Sequence, residues 1–172
     1  MQIQSAIMSF SLALLSLVSA WKSPPACKGA PGTSSWPTVP QWNALNESIS
    51  GRLLQPSPPG AVCHPDQPTY DPTLCSLVQA EFFNIDYYST LPSASAWPNW
   101  NNDSCIPFLP APCSNEGYPI YVVNATNKDD VKKGVDFARE NNVRLVVKAS
   151  GHDYLGRYLC RFHPTKWIAT RG

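Results

Sequence analysis

Charge is scarce in this chain. Its 172 residues carry 13 Lys and Arg against 12 Asp and Glu, a formal net charge of +1. So thin a balance offers no basic footprint for nucleic acid and none for an anionic membrane surface. Long apolar runs are missing too. Residues 7–18 are apolar but broken by Ser9, Ser11 and Ser16, and the run is too short to span a bilayer. No Cys-x-x-Cys pair is present and no histidine spacing resembles a zinc site, so no metal is expected. There is no internal repeat. The length suits one domain with enough residues for a real core.

Proline is what the chain has in abundance, concentrated before Pro119, and it predicts a loop-rich first two thirds. The apolar run at 7–18, followed by Val18-Ser19-Ala20, reads as a secretory signal over residues 1–20, with the mature chain starting at Trp21. The alternative is a buried N-terminal helix. Cysteine usage agrees with export. Cys27, Cys63, Cys75, Cys105 and Cys113 sit in polar, Pro-rich sequence where a reduced thiol has no packing reason to be. The local pairings Cys63–Cys75 and Cys105–Cys113 are favoured, each contributing about 3 kcal/mol through loop closure. Cys27 and Cys160 are left over. Three N-x-S/T sequons, at Asn46, Asn102 and Asn124, mark candidate surface glycans in a secreted protein.

Helical spacing appears at residues 41–49, where Trp42, Leu45 and Ile49 share a face and Gly51 ends the run. Residues 52–54 suit a short strand. Residues 73–83 read as a second helix, with Leu74, Leu77 and Val78 on its period and Asp71 or Thr73 as cap. Residues 91–113 return to loop. The order changes at Tyr118. Residues 119–124 form a β-branched and aromatic run, and a helix follows from Thr126, its expected cap, to about Asn141. Val131, Val135 and Ala138 form its expected buried face, and Asn141-Asn142 supply a left-handed end. Residues 143–147 are the next strand. Strand, helix and strand in so short a span make a βαβ unit with parallel strands.

Lys148, Ser150, Gly151 and His152 lie just past the end of that second strand, at the edge where parallel sheets bind ligands. Gly151 permits a tight turn that brings backbone N–H groups to an anion. Ser150 adds a hydroxyl, Lys148 a nearby charge and His152 a nucleophilic imidazole. Phosphate binding beside a nucleophile is what a tethered nucleotide cofactor requires. The bland reading of the same residues is a satisfied loop histidine.

The segment KASGHDYLGR, with YPIYVVNATNKDDVKKGVDFARENNVRLVV before it, resembles the start of the flavin-binding domain of secreted fungal FAD-linked oxidases. These form the berberine-bridge-enzyme-like branch of the vanillyl-alcohol-oxidase (VAO) superfamily, whose flavin domain is of the PCMH type. WNALNESISGRLL, PPGAVCH, YDPTLCSLVQAEF and the Cys105…Cys113 pair fit the same family, so the resemblance runs from about Trp36 to Arg157. It implies an α+β fold: the N-terminal part of a PCMH-type FAD-binding domain, preceded by a Pro/Cys-rich loop and helix region. It also implies FAD attached covalently to His152 through its 8α-methyl carbon, and a turn over residues 148–151 that cradles the pyrophosphate.

The resulting division is a signal peptide at 1–20, a Pro/Cys-rich region at 21–117 and the start of the FAD domain at 118–157. An aberrant or variant tail follows at 158–172. That tail holds Arg161, Lys166 and Arg171 and no acid, and departs from the Ser/Gly-rich continuation the family shows. A frameshift, a retained intron or a natural variant end each explain it. The expected function is an FAD-dependent oxidase of an alcohol or similar carbon centre, acting on a small molecule and dioxygen, in secondary metabolism or on sugars. As a truncated chain it is expected to be inactive alone. The rival reading is a small secreted, disulfide-stapled glycoprotein that binds a partner and catalyses nothing. Flavin absorbance separates the two.

Overall fold

A computed structural model describes residues 28–94 and 101–152, and the backbone of 167–171. The expected signal at 1–20 and its cleavage point lie outside those residues, as do Cys27 and Cys160.

Helix α1 (Val39–Ser48) begins where Thr38 N–H donates to Gln41 Oε1 at 2.8 Å, with a proline in the first turn. Its apolar stripe is the expected one. Trp42, Leu45 and Ile49 are all buried, Ile49 completely. The chain leaves the helix through Ser50 (φ 57°) and Gly51 (φ 79°), two successive left-handed residues. It then enters β1 (Leu53–Leu54), which pairs antiparallel with β2 (Tyr121–Ala125). A 3-10 turn (Pro59–Cys63) and helix α2 (Pro72–Ala80) follow. Asp71 caps α2, its Oδ1 accepting from the N–H groups of Thr73 at 2.8 Å and Leu74 at 3.0 Å. The helix stops three residues short of Phe83. Of its apolar positions only Val78 is buried; Leu74 and Leu77 are nearly half exposed.

Both expected disulfides are formed. Cys63–Cys75 ties the 3-10 turn to α2, and Cys105–Cys113 closes the loop before β2. The two regions meet at Gly60, where a Cβ would lie 2.3 Å from the Cys105 carbonyl oxygen. Buried His64 joins the same contact, its Nε2 lying 2.7 Å from the Ile106 carbonyl oxygen.

Helix α4 (Lys128–Glu140) connects β2 to β3 (Leu145–Lys148), and the two strands are parallel. They are not neighbours. Strand β4 (Trp167–Arg171) lies between them, parallel to both, so the sheet order is β1-β2-β4-β3. Part of the segment set apart above as a variant tail therefore provides a central strand. Val122 and Val123 are both fully buried although they point to opposite faces, so β2 is covered on both sides.

Two local expectations change in α4. Asn127 is the cap rather than Thr126: its Oδ1 accepts from Asp129 N–H at 2.9 Å and Asp130 N–H at 3.0 Å. Thr126 instead donates its own N–H to Asp130 Oδ2 at 3.0 Å. The buried stripe is Asp130, Gly134 and Ala138, while Val131 and Val135 are more than a third exposed. The helix is rotated so that the Asp130 carboxylate meets Arg52. Val131 and Val135 are left partly in solvent by that orientation. Asn142 (φ 54°) ends α4 in the left-handed conformation, as expected.

The main core lies between α1, α4 and one face of the sheet. It holds Trp42, Leu45, Ile49, Val123, Ala125, Ala138 and Val143. Trp42 stacks on Tyr121 at 4.0 Å between centroids and meets Phe137 at 4.7 Å. Among the described residues no helix is long and apolar enough to cross a membrane.

Candidate functional site

The C-terminal edge of β3 carries the turn over residues 148–152. The strand aims this turn outward, and a short helix missing from the sequence reading backs it. Helix α3 (Ile85–Thr90) is capped by Asn84, whose Oδ1 accepts from Asp86 N–H at 3.0 Å and Tyr87 N–H at 3.2 Å. Asn84 was the available signal for it. Six residues are too few for a helical period to stand out, so residues 84–90 stay unassigned between the helix at 73–83 and the loop at 91–113.

Helix α3 is fastened to the β3 turn at two points. Gly151 has φ +83°, a backbone favourable only for glycine, and a Cβ there would lie 2.8 Å from the Ser89 carbonyl oxygen and 2.7 Å from Lys148 Cε. Lys148 itself is buried and donates from Nζ to the Leu91 carbonyl oxygen at 2.5 Å, just past the end of α3. Burial pushes the Lys148 ammonium down from 10.5 to about 8. The ammonium therefore points inward, to the helix end, rather than out over the open edge.

Ser150 and His152 remain on the exposed edge. Ser150 Oγ accepts from His152 N–H at 3.4 Å. The His152 ring is about two-fifths exposed, and its Nε2 lies 3.3 Å from Asp86 Oδ1. Thus the structure brings Ser150, Gly151 and His152 together at one edge, places Lys148 beneath them, and adds Asp86 from α3.

The N-terminus of α4, at the end of β2, is the other place where a βαβ unit can hold a phosphate. A cavity of about 360 Å³ lies there, lined by Ala125, Thr126, Asn127, Lys128 and Val131. Two first-turn amides are already satisfied by Asn127, and Asp129 and Asp130 add negative charge. That end is unsuited to a pyrophosphate. The β3 turn suits one better: it has an exposed hydroxyl and a Cβ-free left-handed residue, and residues 148–152 carry no carboxylate of their own, the Asp86 carboxylate of α3 standing at the His152 ring. Its imidazole is about two-fifths exposed at the same edge. These groups suit a phosphate-bearing cofactor.

The remaining candidate positions are scattered. Asn102 is exposed at a left-handed corner (φ 59°). Asn46 Oδ1 accepts from Leu53 N–H at 2.9 Å, and Asn124 sits half-buried within β2. Asn124 lies in the same row of the sheet as Lys148, across Thr170 of β4.

No protein-family model matches the chain. Individual proteins do. It is 34% identical over 165 residues to the FAD-linked oxidoreductase sor8 of Hypocrea jecorina, covering 88% of this chain and 28% of that protein. It is 39% identical over 133 residues to the FAD-linked oxidoreductase ZEB1 of Gibberella zeae, covering 76% of this chain and 23% of that one. In three dimensions it matches the crystal structure of the VAO-type flavoprotein MtVAO615 from Myceliophthora thermophila C1. That match has a TM-score of 0.74 and 33% identity, over 84% of this chain and 27% of the other. The chain thus spans about a quarter of the length of these relatives. Its α+β architecture is that of a PCMH-type FAD-binding fold, and the chain belongs, over the span it shares with them, to the fungal VAO-type family of FAD-linked oxidoreductases.

Proposed function

We propose that the chain is the N-terminal portion of a secreted FAD-dependent oxidoreductase of the berberine-bridge-enzyme-like branch, with the flavin attached through its 8α carbon to His152. The observation that carries this reading is the position of His152: exposed, directly after a parallel strand and a left-handed glycine, in a chain of this family. Ser150 and the turn amides hold the pyrophosphate side, and Gly151 keeps the turn seated on α3. Lys148 fixes that seat from below. When bound, the flavin supplies hydride acceptance from an alcohol or similar carbon centre and passes the electrons to dioxygen. Secondary-metabolite and sugar substrates both suit that chemistry.

Residues 118–157 begin the FAD domain in this reading, and 21–117 form the arm that buttresses it. These 172 residues alone turn no substrate over, because they make up only about a quarter of the relatives' length. Export is supported by the 1–20 segment and the two disulfides. Among the sequons, exposed Asn102 is the best glycan acceptor. The rival reading, a disulfide-stapled binding glycoprotein, accounts for the cysteines but not for the β3 edge.

The test uses the complete translation product that contains this chain. Acid-precipitated wild-type protein keeps yellow flavin on the pellet, and His152→Ala loses the histidyl attachment. A wild-type protein that is fully active without flavin overturns the reading.

A further inference from the structure

We propose that Asp86 is a positioning residue that prepares His152 for covalent attachment of the flavin; the proposal rests on the reading of His152 given above. Asp86 lies 66 residues before His152 in the chain, and its carboxylate Oδ1 stands 3.3 Å from the ring Nε2. The pair contributes little to stability, because Asp86 is 90% exposed and His152 39% exposed, and solvent screens such pairs. Its geometry is nevertheless held. Asn84 caps the first turn of α3, in which Asp86 sits. Gly151 and Lys148 hold the other end of that helix on the β3 turn, through Ser89 and the Leu91 carbonyl. The helix is thus capped at its start and seated on the β3 turn at its end, and the side chain it presents to the ring is a carboxylate.

A carboxylate at Nε2 selects the tautomer that carries its proton on Nε2 and leaves the lone pair on Nδ1. Among the described residues, no hydrogen bond occupies Nδ1. Nδ1 is therefore the nucleophile. In the attachment step, Nδ1 forms a bond to the flavin 8α carbon, and that carbon gives up one proton. The imidazole gives up its Nε2 proton to Asp86, which passes it to solvent. Two electrons stay on the flavin ring, which takes up two protons in their place. Dioxygen then removes both electrons and both protons as hydrogen peroxide, restoring the oxidised, tethered ring. Without Asp86 the second proton has no acceptor in place, and the ring is free to turn away.

The experiment uses the complete translation product prepared free of flavin. FAD is added, and acid-stable flavin on the His152 peptide is followed over time. Non-covalent FAD affinity is measured in parallel by flavin fluorescence quenching. Asp86→Ala is expected to slow attachment by about a hundredfold or more, on the scale of a lost proton acceptor, with affinity unchanged to within about twofold. Asp86→Glu, which keeps the carboxylate, is expected to recover most of the rate. Asp86→Ala attaching flavin at the wild-type rate overturns the proposal. So does a rate loss matched by an equal loss of affinity and not rescued by Glu, which marks a merely structural role. Wild-type protein with no flavin on His152 overturns the underlying reading of His152, and this proposal with it.

Discussion

The guanidinium of Arg52 places one nitrogen, Nη2, 2.7 Å from both carboxylate oxygens of Asp130. This contact joins the start of β1 to the first turn of α4 across 78 residues. Asp130 also accepts from the N–H and hydroxyl of Thr126 and from Asn127 Nδ2, so the carboxylate is the hub of the α4 N-terminus. The Thr126 N–H holds the Asp130 carboxyl below its ordinary range; burial opposes the shift, and Arg52 adds to it.

A folded-state value held down in this way contributes stability above the unfolded carboxylate pKa of about 3.9, and the contribution disappears as pH falls through the folded value. Asp130→Asn is expected to be less stable than wild type at pH 7 and to show a flatter stability profile below about pH 4. Urea unfolding at a series of pH values checks this. Parallel profiles for the two proteins contradict it.

Lys148 titrates with the opposite consequence. Its folded value, pushed down to about 8, means that the folded protein binds fewer protons than the unfolded chain between that pH and the ordinary 10.5. The cost of the buried charge is full below pH 8 and is relieved as pH rises through this window. Wild-type stability relative to Lys148→Met is therefore expected to increase from pH 8 toward 10.5. Denaturant titrations of both proteins measure the gap, and a gap independent of pH contradicts the assignment.

Gly151→Ala introduces a Cβ 2.8 Å from a backbone oxygen of α3 while keeping a left-handed φ of +83°. The strain is on the order of 1–3 kcal/mol. The expected signature is local. Amide exchange speeds up over 85–90 and 148–152, while α1 and α4 remain protected. Uniform loss of protection argues that the turn is part of the main core instead.

The sequence revealed the elements whose partners are local. Trp42, Leu45 and Ile49 describe α1 by themselves, and Gly51 and Asn142 mark helix ends because their backbones require it. Non-local choices were hidden. Nothing near Asp130 announces Arg52, so the apolar Val131 and Val135 pointed to the wrong face of α4. Helix α3 was hidden by its length, and with it Asp86, so the site looked like a single turn rather than a turn and a helix. The four-residue set also divided: Ser150 and His152 share the open edge, whereas Gly151 is packed against α3 and the Lys148 ammonium is committed to Leu91.

Removing Cys63–Cys75 by the double change to Ser takes away a cross-link between residues 12 apart. It is expected to cost about 3 kcal/mol by loop-closure entropy. The loss appears as a lower denaturant midpoint that reducing agent does not lower further by the same amount. A double mutant as stable as the oxidised wild type contradicts this.

His152 is proposed to carry the flavin. Peptide mass mapping of the complete, acid-denatured and protease-digested translation product tests it most directly. The expected result is a flavin-bearing peptide with the modification on His152. Flavin released entirely by acid, or mapped to a different residue with His152 unmodified, contradicts it.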